Sequence, residues 1–385
     1  MARLGPTGLE ISRVGFGAWT LGGANYDWGW GSQDDGDSIA AIHHALELGV
    51  NWIDTAAQYG FGHSEEVVGR ALRGLQTRPY VFTKAGQPEG PNRTTVQSLR
   101  RDSLRRELEG SLSRLSVDAI DLYQIHWPIP DEQIEEGWAA FAEFKDEGLV
   151  RHIGVSNFDV GQLRRAQAIA PVETLQPPYS LVDRTVEDEI LPFAEREGIG
   201  VIAYSPMGSG LLTGAMTRER IASLPDDDWR KHDPQFQEPQ LSEQLALVER
   251  LERVADRLGA SPGAVAVAWV LRNPAVDGAI VGFRRPEQLD PIVLGMGLIA
   301  YSLFTNYELG VWKVAPMAVH NLIDIAAGGL LAASPWIFGF ADGTANVWVP
   351  HLVVGLAAVF LGLTTKQEGG YSYRKSGATP TAAAG

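Results

Sequence analysis

The chain has 385 residues, a formal net charge of -15 at pH 7 and no cysteine. That length accommodates one barrel of ~250 residues plus an appendage, while the missing cysteines exclude disulfides and thiolate metal sites. The acidic balance has no basic stripe, which argues against nucleic-acid binding, and it is uneven: residues 291–385 hold only Lys313, Lys366, Arg374 and Lys375 against Glu308, Asp324, Asp342 and Glu368, so the first 290 residues carry the whole surplus.

The opening "MARLGPTGLE" lacks the apolar core of a signal peptide, so the first domain is expected to remain in the cytoplasm. "MARLGPTGLEISRVGFG" predicts two short strands around a Gly-Pro-Thr-Gly turn. From "RVGFGAW" onward, apolar runs rich in Val, Ile and Tyr recur as "VNWID", "YVFTK", "IDLYQIH", "VRHIGVS", "TLQPPY", "GVIAYS" and "GAIVG". Amphipathic stretches such as "DDGDSIAAIHHALELG" and "RRELEGSLSRLS" lie between them. Strands buried on both faces, each followed by a helix, read as consecutive βα units in a parallel sheet. Their number, eight, favours a closed (β/α)8 barrel over an open doubly wound sheet.

In such a barrel the reactive side chains sit at the C-terminal strand ends. The polar residues there are Asp54 in "NWIDTAAQYG", with Tyr59 five residues on, Lys84 in "YVFTKAG" and His126 in "LYQIHWP". These four residues, in this order and context, with "GVSNF" and "AYSPM" further on, resemble the aldo-keto reductase superfamily from about residue 3 to about 290. The opening "GFGAWTLGGANYDWGWGSQDD" is most similar to its general bacterial reductases. The resemblance implies a TIM barrel that uses NADPH to interconvert a small aldehyde, ketone or sugar carbonyl and its alcohol.

The chemistry accounts for these residue types. Carbonyl reduction needs a hydride on carbon and a proton on oxygen, and a phenol with an ordinary pKa of ~10 is a weak acid-base group at neutral pH. Lys84, held by Asp54, is expected to lower the pKa of Tyr59. His126 is expected to orient the carbonyl and stabilise its developing charge. The bland alternative is a buried Lys84–Asp54 ion pair with Tyr59 and His126 as packing residues. By the same resemblance, Ser156, Asn157 and Gln176 would bond the nicotinamide carboxamide and Tyr204 would stack on its ring. Ser205, Gly208 and Leu211 would line the pyrophosphate through backbone amides, under a lid drawn from Pro206 to Gln240. Gly282, Arg284 and Gln288 would meet the adenosine phosphate, where the guanidinium of Arg284 or its neighbour Arg285 suits the 2'-phosphate of NADP; a solvated helix start is the other reading of these arginines.

Trp19, Trp28, Trp30 and Trp127 are assigned to an apolar wall of the substrate pocket. "GFGAWTLGG" has glycines near a nucleotide-fingerprint spacing but runs into a loop, so a Rossmann reading fails. Adjacent His43 and His44 lie about 100° apart on a helix and do not face one metal ion; no metal site is expected.

Beyond residue 290 the reductase resemblance stops. Members continue with a charged eighth helix, whereas here Pro291 replaces a frequent acidic position near the adenine. Three apolar stretches follow, Pro291–Phe304, Ile325–Phe340 and Val347–Leu363. "HNLIDIAAGGLLAASPWIFGF" resembles small bacterial membrane proteins named for a Ser-Pro-Trp (SPW) repeat, with Ser334, Pro335 and Trp336 as the signature, over most of residues 294–368. The expected organisation is a barrel over 1–290 lacking the usual C-terminal helices, a helical membrane-type segment over 291–368 and a disordered tail over 369–385. The stretches are short for crossing a bilayer, which takes about 17 to 25 apolar residues. The first is expected to pack on the barrel or lie at the interface, leaving 314–340 and 347–363 as a spanning hairpin, with lipid contact through 291–363 and the barrel facing the cytoplasm. Alternatives are a membrane protein carrying an inactive barrel, or a barrel that senses NADPH without turnover.

Overall fold

The structure, a computed structural model, describes residues 1–24, 26–293, 295 and 317–337, together with residues 352, 355, 356, 359 and 363. The chain divides into two compact units, Met1–Leu298 and Ile299–Gly385.

In the first unit the strands β1 (Ala2–Arg3) and β2 (Glu10–Ile11) pair antiparallel around the Gly-Pro-Thr-Gly turn. Eight parallel strands then close into a barrel: β3 (Val14–Gly17), β4 (Trp52–Asp54), β5 (Tyr80–Ala85), β6 (Ile120–Ile125), β7 (Val150–Ser156), β8 (Thr174–Gln176), β9 (Gly200–Ala203) and β10 (Gly278–Gly282). The last pairs with the first, with Val281 opposite Phe16. The expected eight-stranded (β/α)8 barrel is therefore present.

Helices α1 (Asp35–Glu47), α2 (His63–Leu72), α3 (Arg101–Leu115), α4 (Ile134–Asp146), α5 (Val160–Gln167) and α6 (Ile190–Glu197) connect successive strands. The connection from β9 to β10 is longer and contains α7 (Arg218–Ala222), α8 (Gln240–Leu258) and α9 (Pro262–Leu271). The helix starts follow from local chemistry. The Asp34 side chain accepts from the Asp37 amide at the start of α1, Asp159 and Gln162 form a capping box on α5, and Ser261 caps α9 just before Pro262. Each satisfies an amide that the first helical turn leaves unpaired.

The barrel is sealed at one end. Leu4 and Ile11 of the N-terminal hairpin join Trp52, Phe82, Leu122, Ile202 and Ile280 in one buried cluster. Burying such side chains fully contributes roughly 1.5–3 kcal/mol each. Trp52 sets one glycine by itself, because a Cβ on Gly15 would fall 2.2 Å from the indole ring. The larger apolar layer lies between the strands and the surrounding helices, with Trp138, Phe141 and Phe144 among its members. With the hairpin filling one end, the opposite end, where the strands finish, is free to form a cavity.

Residues 290–293 and 295, at the start of the first apolar stretch, are helical. Ile292 is buried there, a Cβ on Gly263 of α9 would meet its Cδ1 at 2.8 Å, and Ser261 Oγ donates to Pro291 O at 3.1 Å. This part of the stretch packs on the barrel; residue 294 and residues 296–304 lie outside the described residues. In the second unit one helix spans Met317–Ile337. Among the described residues no helix is long and apolar enough to cross a membrane. His320, Asn321 and Asp324 in the first turns of Met317–Ile337 work against such a role. The expected crossing by 347–363 and the expected disorder of 369–385 fall almost wholly outside the described residues.

One carboxylate ties three outer elements together. Glu173, just before β8, accepts from His152 of β7 at 2.9 Å, from Lys145 of α4 at 2.8 Å and from the Ile153 amide at 3.0 Å. Burial pushes its pKa up, but these three donors outweigh burial and hold it at about 2 against an ordinary 4.5. A depressed folded-state pKa means stabilisation that is present above the unfolded value and lost as the pH falls through the interval. Glu173→Gln is thus expected to lower the melting temperature at pH 7. The gap to the wild type should narrow as the pH falls from about 4.5 towards 2, as followed by circular dichroism.

Candidate active site

At the open end of the barrel a cavity of about 750 Å3 is lined by the ends of the strands and the loops that follow them. Four of the predicted residues converge at its base. Lys84, near the end of β5, has no access to solvent; its Nζ donates to Asp54 Oδ2 at 2.5 Å, to Thr55 O at 2.9 Å and to Tyr59 Oη at 3.4 Å. Tyr59 and His126 meet edge to face with ring centroids 5.6 Å apart. Asp54, Tyr59 and His126 line the cavity, while Lys84 lies behind them.

The electrostatics depart from the expectation for Tyr59. Its pKa lies well above the ordinary value, because burial and the Asp54 carboxylate disfavour the phenolate. The reason is that the Lys84 charge is already matched by Asp54 at 2.5 Å, so the phenol faces an ion pair rather than a bare cation. The expected depression of the phenol pKa is therefore corrected: Tyr59 keeps its proton. Burial, then the Lys84 charge, hold the His126 pKa well below its ordinary value. Its imidazole is consequently neutral at physiological pH. His126 Nδ1 is buried and makes no hydrogen bond among the described residues.

Two glutamines support this base. Gln176 Nε2 donates to Asp54 Oδ1 at 2.8 Å and lies 3.4 Å from Gln124 Oε1. In this arrangement Gln176 Nε2 serves Asp54, while Gln176 also lines the cavity. Gln124 escaped the sequence reading, although strand alternation places it on the same face as His126 in "LYQIH".

The remaining predicted residues fall along the cavity except Leu211 and Arg285. Ser156, Asn157, Gln176 and Tyr204 line one wall. Asn157 Nδ2 donates to His126 O at 2.9 Å, and the Tyr204 hydroxyl donates to Asn157 Oδ1 at 2.9 Å. Ser205, Gly208, Gly282 and Gln288 also line the cavity. Leu211 does not: it is buried in an apolar cluster with Met216, Ile221, Phe236 and Leu241. Its amide donates to Gly208 O at 3.0 Å, and the Gly208 amide donates to Ser205 O at 2.9 Å. These two amides close turns within the loop and do not point to a ligand, which corrects that expectation. Non-glycine residues with positive φ recur at the cavity, Asn157 at 65°, Ser205 at 52° and Ser209 at 53°, a form of backbone strain that concentrates at functional sites.

Arg284 lines the cavity, but its guanidinium is engaged. It donates to Gln33 Oε1 at 2.7 Å, to Trp30 O at 3.3 Å and to Ser32 O at 2.5 Å, clasping the end of β10 to the loop before α1. It is neither a solvated helix start nor a free cation. Arg285 is mostly exposed, 3.9 Å from Asp37.

The apolar wall is larger than expected. Trp19, Trp28, Trp30 and Trp127 all line the cavity, Trp28 and Trp127 being the most exposed. Trp229 joins them from the segment between Pro206 and Gln240, stacking on Trp19 with centroids 5.6 Å apart and planes 18° apart. Its amide donates to Gly29 O at 3.1 Å, Trp30 and Asp228 form an antiparallel bridge, and Arg230, paired with Asp228 at 2.6 Å, lies 4.3 Å from the Trp30 ring centroid. The segment expected to form a lid thus packs against the loop before α1. Sequence reasoning missed Trp229 and Arg230 because nothing in that irregular stretch marks which residues turn inward.

A nicotinamide dinucleotide suits these walls. The volume lies in the range of about 300–1,000 Å3 usual for ligand pockets, and the wall carries the aromatic Tyr204 and the hydroxyl of Ser156. Gly282 leaves room for close approach, since a Cβ there would have no neighbour nearer than 3.8 Å. Of the arginines along the lining, Arg230 is paired with Asp228 and Arg284 with the loop before α1, which leaves Arg220 to meet a phosphate. Among the described residues no cluster of side chains is arranged to hold a metal ion.

Comparison with known proteins agrees with this geometry. Residues 13–299 match the model of the Aldo/keto reductase family, and residues 260–365 match that of the SPW repeat domain. The overlap contains α9 and β10 of the barrel. Aldo-keto reductase YhdN of Bacillus subtilis (strain 168) is 42% identical over 289 residues, 74% of this chain and 85% of that protein. The NADH-specific methylglyoxal reductase of Escherichia coli (strain K12) is 33% identical over 77% of this chain and 93% of that protein. Among solved structures, the glycerol dehydrogenase AKR11B4 from Gluconobacter oxydans gives a TM-score of 0.69 at 38% identity, covering 79% of this chain and 95% of that one. The chain belongs to the aldo/keto reductase family, a carbonyl oxidoreductase barrel whose C-terminal part matches the SPW repeat domain.

Proposed function

We propose that this protein reduces a small aldehyde, ketone or sugar carbonyl with NADPH, and that its C-terminal segment holds it at a membrane with the barrel facing the cytoplasm. The observation that carries the reaction is the convergence of Tyr59, Lys84, Asp54 and His126 at the base of one cavity. A dihydronicotinamide, when bound, would supply the hydride for the carbonyl carbon. Tyr59 delivers the proton to the oxygen, a direction favoured by a phenol that burial keeps protonated. Lys84, at 3.4 Å, stabilises the negative charge left on Tyr59, and Asp54 with Gln176 fixes Lys84. Neutral His126 orients the carbonyl without presenting a second positive charge. Ser156, Asn157 and Tyr204 would hold the nicotinamide end, and the Ser205 turn the phosphates.

The preference for NADPH is assigned to Arg285, with Arg284 holding the loop beneath it. The fold alone does not set this preference, since one relative is named as NADH-specific. Membrane attachment is supported by the scarcity of charge in residues 291–385. It is also supported by the exposure of Leu322, Leu330, Trp336 and Ile337 on the helix Met317–Ile337.

Three measurements test these assignments. Tyr59→Phe should lower kcat for carbonyl reduction by at least about a hundredfold while leaving the dissociation constant of NADPH nearly unchanged; undiminished turnover would remove Tyr59 as the proton donor. Arg285→Ala should weaken NADPH about tenfold more than NADH, as expected for one lost charged contact to a phosphate, whereas Arg284→Ala should weaken both, because it also releases the loop at Gln33. An unchanged ratio of NADPH to NADH affinity in the Arg285 variant would reassign the preference. In a bacterial host the full chain should sediment with membranes, resist a high-salt wash and dissolve in detergent. Recovery in the soluble fraction would exclude the tether.

A further inference from the structure

The end of β5 is held from outside the barrel by a buried carboxyl group that the reaction described above does not use. Glu107 of α3 accepts from the Gly86 amide with both oxygens at 3.2 Å, and its Oε2 accepts from the Gln87 amide at 3.3 Å. The carbonyl of the same Ala85–Gly86 peptide is also engaged: Ala85 O accepts from the His126 amide at 2.9 Å. In a planar trans peptide the carbonyl and the N–H point in opposite directions. One peptide unit is therefore gripped by α3 on one side and by His126 on the other. Gly86 has φ of 103°, and a Cβ there would meet Leu99 at 2.8 Å. A glycine enters that region at little cost and leaves it as easily, so the carboxyl group rather than the backbone itself keeps the peptide in place.

The two site residues nearest this peptide are placed in different ways. Lys84 is fixed through its own side chain by Asp54 and Thr55. His126 has no such tether, since its Nδ1 is buried without a hydrogen bond among the described residues. Its backbone is held by Ala85 O at one end and by Asn157 Nδ2, at 2.9 Å from its carbonyl, at the other. The imidazole thus depends on its backbone and on its packing against Tyr59 for its position, and a misplacement of about 1 Å at a reacting centre can lower a rate about a hundredfold. Resting on the reductase reading, we infer that Glu107 is a positioning residue for His126, acting through the Ala85–Gly86 peptide to which the His126 amide is bonded.

The carboxyl group is also titratable. Burial pushes its pKa up to about 8; the Gly86 and Gln87 amides oppose the rise, Glu65 of α2 adds to it and Arg114 of α3 opposes it. Tyr123 of β6, whose phenol burial keeps protonated, is near enough to feel the charge. Ionisation of Glu107 turns its amide contacts into charge-assisted hydrogen bonds, which are the stronger kind.

The test uses the full-length protein with NADPH and glyceraldehyde. Glu107→Leu removes both acceptors and should lower kcat about tenfold, with the dissociation constant of NADPH within about twofold of the wild type. In a His126→Ala background the same change should lower kcat by less than about twofold, because the residue it acts through is gone. Glu107→Gln keeps the shape and one acceptor but does not ionise, and it serves where the leucine variant fails to fold. The ratio of wild-type to Glu107→Gln kcat should be level at neutral pH and rise about threefold as the pH passes about 8, a trend that a merely structural role does not produce. Unchanged kcat in Glu107→Leu, effects that multiply with His126→Ala, or a ratio that stays level beyond pH 8 each overturn the inference. A wild-type protein that oxidises neither NADPH nor NADH with any carbonyl overturns the reductase reading itself, and the inference with it.

Discussion

A lysine side chain without access to water has to be matched wherever it sits, and Lys84 sets that requirement at the centre of this barrel. Removing one partner from a buried ion pair costs about 3–5 kcal/mol, so Asp54 of β4 must lie against Lys84 of β5. Asp54 in turn requires Gln176 of β8, which reaches it from across the barrel. Three strands are thereby tied at one level, and only closure of the sheet brings β8 within reach of β4. Burial also explains why the expected lowering of the Tyr59 pKa is absent. The same desolvation that forces Asp54 onto Lys84 keeps Tyr59 protonated and His126 neutral.

Above this layer, closure depends on contacts between two loops and one arginine. Trp229 and Arg230 come from the segment after β9, Trp19 and Trp30 from the segment after β3, and Arg284 from the end of β10. Each contact is modest, and aromatic pairs of this kind contribute about 0.5–1.5 kcal/mol beyond their area. Together they span the seam where the first and last strands of the barrel meet. The cavity roof is thus anchored where β3 and β10 pair, and a change at Arg284 acts on the roof as well as on any phosphate beside it.

The eight strands were legible because each apolar run is short, rich in branched and aromatic residues, and bounded by helical periodicity. The base of the site was legible because a barrel places its chemistry at strand ends, so Asp54, Lys84 and His126 could be read off by position. The roof was not. The partners of Arg284 are more than two hundred positions away in the chain, and no local pattern announces that Gln33, Trp30 and Ser32 would bind it. Leu211 was misread for a related reason, since a loop of mixed turns hides which amides close upon themselves. The direction of the Tyr59 shift was illegible because it depends on how completely water is excluded and on how closely Asp54 matches Lys84.

The indole cluster has an optical consequence. Trp19 and Trp229 stack nearly parallel, and Trp30 stands almost perpendicular to both, at 90° and 84°, with centroids within 5.8 Å. Chromophores at such separations and fixed angles share their excited states, so the near-ultraviolet circular dichroism of the molecule carries a coupled signal from residues two hundred positions apart. That signal belongs to the closed roof alone, which turns the architecture of the cavity into its own spectroscopic label.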